Sequence, residues 1–204
     1  MSRALEALTA GARRILGQPL SEAELAAFDK YLKLLQKWQQ SQRLVGSTDP
    51  DWIVEHLFLD SLLFLRVLPP GTASIADLGS GAGFPGIPIK IVRPEIEVAL
   101  IESRERRVSF LATTVRELGL QRIRVVNARA ERSAQQMPAA FAAAVMRCAG
   151  NPIHIMPIAA KLVAPGGVVI ASGPPVRRPL RIGIWVEVPG IGPADTRRFV
   201  VYHV

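Results

Sequence analysis

The stretch Ile75-Ala-Asp-Leu-Gly-Ser-Gly-Ala-Gly-Phe-Pro-Gly-Ile-Pro88 constrains the fold more than any other part of this chain. A short apolar run ends beside an acid, Asp77, and breaks into glycines at 79, 81, 83 and 86 before helix-like sequence begins. Strand, glycine loop and helix in that order open a binding crevice at the carboxyl ends of an α/β sheet. Glycine there lets the backbone turn with positive φ and lets a ligand approach without meeting a Cβ.

Spacing narrows the ligand. The dinucleotide fingerprint Gly-x-Gly-x-x-Gly, counted from Gly79, needs glycine where Phe84 stands, and Pro85 follows. A large apolar side chain suits a nucleoside better than a pyrophosphate. S-adenosylmethionine carries an adenosine without phosphate, and its sulfonium and amino groups tolerate nearby carboxylates. Asp77 precedes the loop, and Glu102 ends the next strand-like run, Ile96 to Ile101. An acid at that second place can accept hydrogen bonds from both ribose hydroxyls, as it does in dinucleotide sites. A purely structural glycine turn is the competing explanation, and Glu102 argues against it.

At 204 residues the chain is one domain, or one domain with an appendage. Its longest apolar candidate, near Ile53 to Leu68, is interrupted by Glu55, His56, Asp60 and Arg66, so no membrane span is expected. No export signal is recognisable at the N-terminus. Cys148 is a lone cysteine, and no Cys/His cluster has metal-ligand spacing. A cytoplasmic, metal-free monomer is the expectation. The net charge of +8 points to an anionic partner, nucleic acid first. Of the 25 basic residues 20 are arginine, the side chain that forks onto phosphate and stacks on bases, although arginine-rich genomic composition would produce the same bias.

Along the chain, Leu5, Leu8, Ala12 and Ile15 mark an amphipathic helix over 4–16. Ser21 and Glu24 form a capping-box pair ahead of a helix carrying Leu25, Phe28, Leu32, Leu35 and Trp38. Asp49 and Pro50 read as N-cap and N1 of a third helix reaching about Leu68, and Pro69-Pro70-Gly71 stops it. This predicts a helical N-terminal extension, residues 1–70, and a sheet domain, residues 71–204. In the second part strands are expected near 74–78, 96–101, 122–127, 141–146 and 166–171. Helices are expected near 86–93, 104–119 and 152–163, with a short one after Glu131. Such alternation predicts an α/β fold with a mostly parallel sheet flanked by helices. The segments 182–188 and 197–203 predict a closing antiparallel hairpin.

With these features in place the chain resembles the bacterial small-subunit ribosomal RNA guanine-N7 methyltransferases, the glucose-inhibited division protein B family. The resemblance rests on Tyr31 to Trp38, on His56-Leu-Phe-Leu-Asp60-Ser61-Leu62, on Asp77 through Pro88, and on Leu100-Ile-Glu-Ser through Phe110-Leu111 to Arg129-Ala130-Glu131. It covers about residues 31 to 173. It implies a class I (Rossmann-like) methyltransferase fold, S-adenosyl-L-methionine as cofactor, and 16S rRNA or the small ribosomal subunit as partner. It places cofactor contacts at Gly79, Gly81 and Phe84, at Glu102, Ser103 and Arg104, and at Ala130 and Glu131 beside the adenine. Arg147, after the fourth strand, corresponds to an arginine at the cofactor and substrate pocket. The chain departs from the family in three places: Gln39 and Arg43 where asparagines are usual, Ser172 where a lysine is usual, and the stretch Cys148-Ala-Gly-Asn-Pro152 in place of an Ala-rich start. Arg177, Arg178 and Arg181 offer a replacement for the missing charge.

Guanine N7 has an available lone pair at neutral pH, so methyl transfer to it needs positioning and no general base. Accordingly no catalytic residue is assigned. His56 and Asp60, at i and i+4 on one helix face, are placed to meet each other or RNA; the alternative is that Asp60 and Ser61 fix the helix against the glycine-loop domain. Arg13-Arg14, Arg104 to Arg107 and Arg122 to Arg132 are candidates for an RNA-facing surface. Two other readings stay open: an NAD- or nucleotide-binding oxidoreductase with a degenerate loop, against which Phe84 counts, and a non-catalytic RNA-binding module, which Ser172 would allow.

Overall fold

The computed structural model describes residues 2–147, 152–173, 180, 182–192 and 195–204. Helices α1 (Arg3–Leu16) and α2 (Glu22–Gln39) lead the chain. The capping box forms as the sequence predicts: the Ser21 amide donates to Glu24 Oε2 at 2.6 Å and the Glu24 amide to Ser21 Oγ at 3.3 Å. Asp49 caps α3 (Pro50–Ile53), accepting from the Asp51 amide at 3.2 Å. The expected single helix then departs from α geometry. Val54–Leu59 is π-helical, α4 (Asp60–Leu62) resumes briefly, and a 3₁₀ turn (Leu63–Arg66) ends the run. The wider π turn reduces the angle between successive residues, so Leu57, Phe58 and Leu59 are all buried in sequence.

The remainder alternates: β1 (Ser74–Leu78), α5 (Gly86–Val92), β2 (Glu97–Glu102), α6 (Glu105–Glu117), β3 (Ile123–Asn127), α7 (Ala130–Gln136), β4 (Phe141–Met146), α8 (Pro152–Ala160), β5 (Val163–Ser172), β6 (Ile184–Pro189) and β7 (Thr196–His203). They build one sheet in the order β3-β2-β1-β4-β5-β7-β6. Pairs through β5 are parallel, and β7 runs antiparallel between β5 and β6. The predicted α/β fold and closing hairpin are therefore observed. The largest boundary shift is at the junction of α8 and β5. β5 starts at Val163, inside the stretch expected to be helix, and its register against β4 shifts between Phe141 and Ala143. Strand order reverses between β1 and β4, and the crevice of an open α/β sheet lies outside the carboxyl ends of the strands at that switch.

Both faces of the central strands are covered, which is why β1 and β4 read as nearly continuous apolar runs. On one face Ala76, Leu78, Ala99, Ile101, Ala144 and Met146 pack against Ala134, Met156 and Ala159 of α7 and α8. On the other, Ile75, Leu100, Val145, Ile170 and Phe199 share one buried cluster with Leu8, Phe28, Phe58 and Phe64. The leading helices thus complete the core of the sheet. Helix α1 lies so close to the π segment that a Cβ at Gly11 would fall 2.4 Å from Leu59 Cδ1. Phe58 centres an aromatic cluster, 5.1 Å from Phe28, 5.3 Å from Tyr31 and 6.1 Å from Phe84, ring centroid to centroid. No helix among the described residues is long and apolar enough to cross a membrane.

Phe58 is fully buried where the leading helices meet the glycine loop. Phe58→Ala is expected to lower stability by about 3–5 kcal/mol, read as a fall in the denaturant midpoint. A loss below about 1 kcal/mol would contradict this packing.

Candidate functional site

The glycine loop leaves β1 through three positive-φ residues: Gly79 at 67°, Gly81 at 60° and Gly83 at 99°. A side chain at any of them would be strained. Asp77 anchors the far end of the loop. Its Oδ2 accepts the Gly86 amide at 2.9 Å, so the acid on β1 is joined to the first turn of α5 across the whole loop. The approach is close: a Cβ at Gly86 would lie 2.7 Å from Asp77 Oδ2 and 2.5 Å from Leu100 Cδ2. The helix end that would face a pyrophosphate in a dinucleotide site is here engaged by an internal carboxylate.

Asp77 is completely buried, and its Oδ1 has no hydrogen-bond partner. Burial pushes its pKa up to about 7. The Gly86 amide and the Ser80 hydroxyl pull it down, and the Glu102 charge adds to the rise. Tyr31 lies behind the loop and donates its hydroxyl to the Ala82 carbonyl. Its own pKa is raised by burial and then by Asp77.

Glu102, at the end of β2, faces the loop from the neighbouring strand. Its Oε2 accepts the Gly81 amide at 3.0 Å, and its Oε1 accepts the Ser103 and Arg104 amides at 2.8 and 2.9 Å. The Arg107 guanidinium stands 3.7 Å away. A carboxylate with three amide donors keeps acceptor capacity for a further hydroxyl group, in a fixed orientation. Beside it lies a crevice of about 190 Å³ lined by Gly79, Ile101, Glu102, Ser103, Ala128, Arg129, Ala130, Glu131 and Ile155. Carboxylates and close backbone give this lining acceptors for hydroxyls and a cation, with Arg129 at its edge.

Five predicted contact residues therefore meet in one crevice: Gly79, Glu102, Ser103, Ala130 and Glu131. Gly81 and Arg104 join it through their amides on Glu102. Phe84 is placed differently. Its ring is buried 5.5 Å from Tyr31, so it buttresses the loop from behind, and its backbone is what remains for a ligand.

Arg147 follows β4 on the other side of the switch point. Its Nε lies 3.1 Å from Asp60 Oδ2, and its terminal nitrogen donates to the His56 carbonyl. Arg197 of β7 reaches the same carboxylate, Nε to Oδ1 at 2.8 Å, and donates to Ser172 Oγ at 3.1 Å. The Nε contacts are ion pairs in distance, without hydrogen-bond alignment. His56 and Asp60 do different work: the imidazole stacks on Trp52 while Asp60 gathers the two arginines. The π turns between them displace the i, i+4 alignment of an α-helix. Arg197 carried no sequence signal, because its partner Asp60 is 137 positions away. Cys148, Arg177, Arg178 and Arg181 lie outside the described residues.

An acid whose pKa is raised by folding stabilises the fold below its unfolded pKa, near 4, and that contribution fades as pH rises through about 7. Wild type is therefore expected to lose stability relative to Asp77→Asn between about pH 4.5 and 7.5, by up to a few kcal/mol, in paired denaturant titrations. Parallel curves across that interval would contradict the ionisation assigned to Asp77.

A profile of the family described as rRNA small subunit methyltransferase G matches residues 24–172. Proteins named Ribosomal RNA small subunit methyltransferase G are similar in sequence. That of Desulforamulus reducens is 43% identical over 113 residues, 55% of this chain and 47% of that protein. That of Xanthomonas euvesicatoria is 36% identical over 159 residues, 78% of this chain and 73% of that protein. The chain thus spans about half the length of the first of these relatives. Among solved structures, a SAM dependent methyltransferase from Aquifex aeolicus aligns with a TM-score of 0.53 at 20% identity, over 75% of this chain and 92% of that one. That likeness is one of fold. With 149 of the 204 positions inside the family profile, residues 24 through 172, the chain belongs to the rRNA small subunit methyltransferase G (GidB) family.

Proposed function

We propose that this protein is an S-adenosyl-L-methionine-dependent methyltransferase that modifies N7 of a guanine in 16S rRNA. The carrying observation, beside family membership, is the pairing of Asp77 with the Gly86 amide. It occupies the helix end that a dinucleotide would need, while the adjoining crevice is lined by carboxylates. The engaged Gly86 amide, together with Phe84 in place of the third fingerprint glycine, favours a phosphate-free nucleoside over a dinucleotide, and the carboxylates suit its cationic groups.

In this assignment Glu102 receives the ribose hydroxyls, held in advance by the amides of Gly81, Ser103 and Arg104. Gly79 admits the ligand close to the backbone, Ala130 and Glu131 flank the adenine, and Phe84 keeps the loop in shape from behind. Arg147 borders the acceptor side. S-adenosylmethionine supplies an electrophilic methyl group on a sulfonium, the chemistry that a purine N7 lone pair can accept. The protein's share is to orient the acceptor and to exclude water, which lowers such a barrier by several kcal/mol. No residue has to carry a proton, since N7 is unprotonated at the start and the product purine keeps the positive charge. Residues 1–70 and 71–204 act as one unit in this reading, as a monomer in the cytoplasm.

Undermethylated small subunits and their free RNA, incubated with labelled S-adenosylmethionine, are expected to take label at N7 of one guanine. Binding of both reactants without transfer would leave the non-catalytic module as the better account. Glu102→Ala is expected to weaken cofactor binding roughly 10- to 100-fold, measured by calorimetric titration. Unchanged affinity would remove Glu102 from the site.

A further inference from the structure

Trp52 and His56 stack with ring centroids 4.9 Å apart and planes inclined by 18°. The imidazole is exposed and the indole half-buried. Gly46 packs on the indole edge, where an added Cβ would lie 3.3 Å from Cη2. His56 is therefore the outer layer of a supported aromatic stack. Its backbone is tied to the end of β4: the His56 carbonyl accepts from Arg147, and Arg147 and Arg197 share the Asp60 carboxylate. Two guanidiniums on the one Asp60 carboxylate leave a local excess of positive charge there, with Arg147 and Arg197 side chains 15% and 26% exposed, while Asp51 and Glu55 adjoin the stack in sequence.

Two reactants must meet at the switch point between β1 and β4. The side beneath β1, β2 and β3 holds the crevice with Glu102 and Glu131. The side beneath β4, β5 and β7 is where Arg147, Ser172 and Arg197 lie, so the acceptor has that side left to it. An exposed ring whose own backbone carbonyl is bound by a guanidinium offers a base a face to stack on, with cations held on the same helical run for the phosphates. The π-helical segment brings this about, because it carries His56 outward while burying its neighbours Leu57, Phe58 and Leu59.

We propose that the Trp52-backed His56 ring is a stacking platform for an unpaired base of the RNA substrate. The proposal rests on the RNA-methyltransferase reading above, and extends it to the group that holds the acceptor strand. Stacking needs a π face and no proton, so aromatic replacements of His56 preserve it and aliphatic ones do not.

The test compares wild type with His56→Ala, His56→Leu and His56→Phe. Steady-state methyl transfer to undermethylated small subunits is measured, together with equilibrium binding of a short single-stranded guanine-containing RNA. S-adenosylmethionine affinity and melting temperature serve as controls for folding. His56→Ala and His56→Leu are expected to raise the RNA KM and Kd about tenfold with cofactor affinity unchanged, and His56→Phe is expected to restore both. RNA affinity in His56→Ala equal to wild type, or rescue by leucine as complete as by phenylalanine, would overturn the platform while leaving the methyltransferase reading intact. Absence of RNA methylation by wild type itself would overturn the reading on which the platform rests.

Discussion

The hydrogen bond from the Gly86 amide to the buried Asp77 carboxylate organises this molecule. It joins the end of the central strand to the start of the helix behind the glycine loop, and so fixes the path of every residue between them. Because the carboxylate is enclosed, that bond and its neighbours decide how much charge the site can hold. A helix N-terminus attracts anions, and here the attraction is spent on a side chain of the protein itself. The loop thereby presents its backbone for close contact, which the proposed function assigns to a ligand without phosphate.

Support for the loop comes from outside the sheet. Tyr31 holds the Ala82 carbonyl, and its ring stacks against Phe58 and Phe84. The leading helices therefore serve two ends with the same residues. They close one face of the sheet core, and they hold the glycine loop at the Ala82 carbonyl. Asp60 extends this logic across the crevice, tying the helical run to β4 and β7 through Arg147 and Arg197. Ser172, where the resemblance led to the expectation of lysine, receives the Arg197 guanidinium, so a cation reaches that position from another strand.

Much of this was legible in the residues. The Ser21–Glu24 box, the Asp49-Pro50 start, the strands around Ile75 and Val145 and the closing hairpin follow from local pattern and appear where they are expected. Glu102 announced itself as an acid at a strand end. Phe84 was legible as apolar but not in direction, since only the packing of Tyr31 and Phe58 decides which way its ring points. The π turns at Val54–Leu59 were hidden because apolar periodicity there fits an ordinary helix closely enough. Arg197 was hidden for another reason: ion pairs between distant segments leave no mark on local sequence.

The proposed function requires this crevice to take a phosphate-free cationic nucleoside. Calorimetric titration with S-adenosylmethionine, repeated in the presence of excess NAD, tests it most directly. One saturable site with affinity unaffected by NAD is the expected result. Displacement by NAD, or binding of NAD alone at the same site, would contradict the account of Asp77 and the glycine loop.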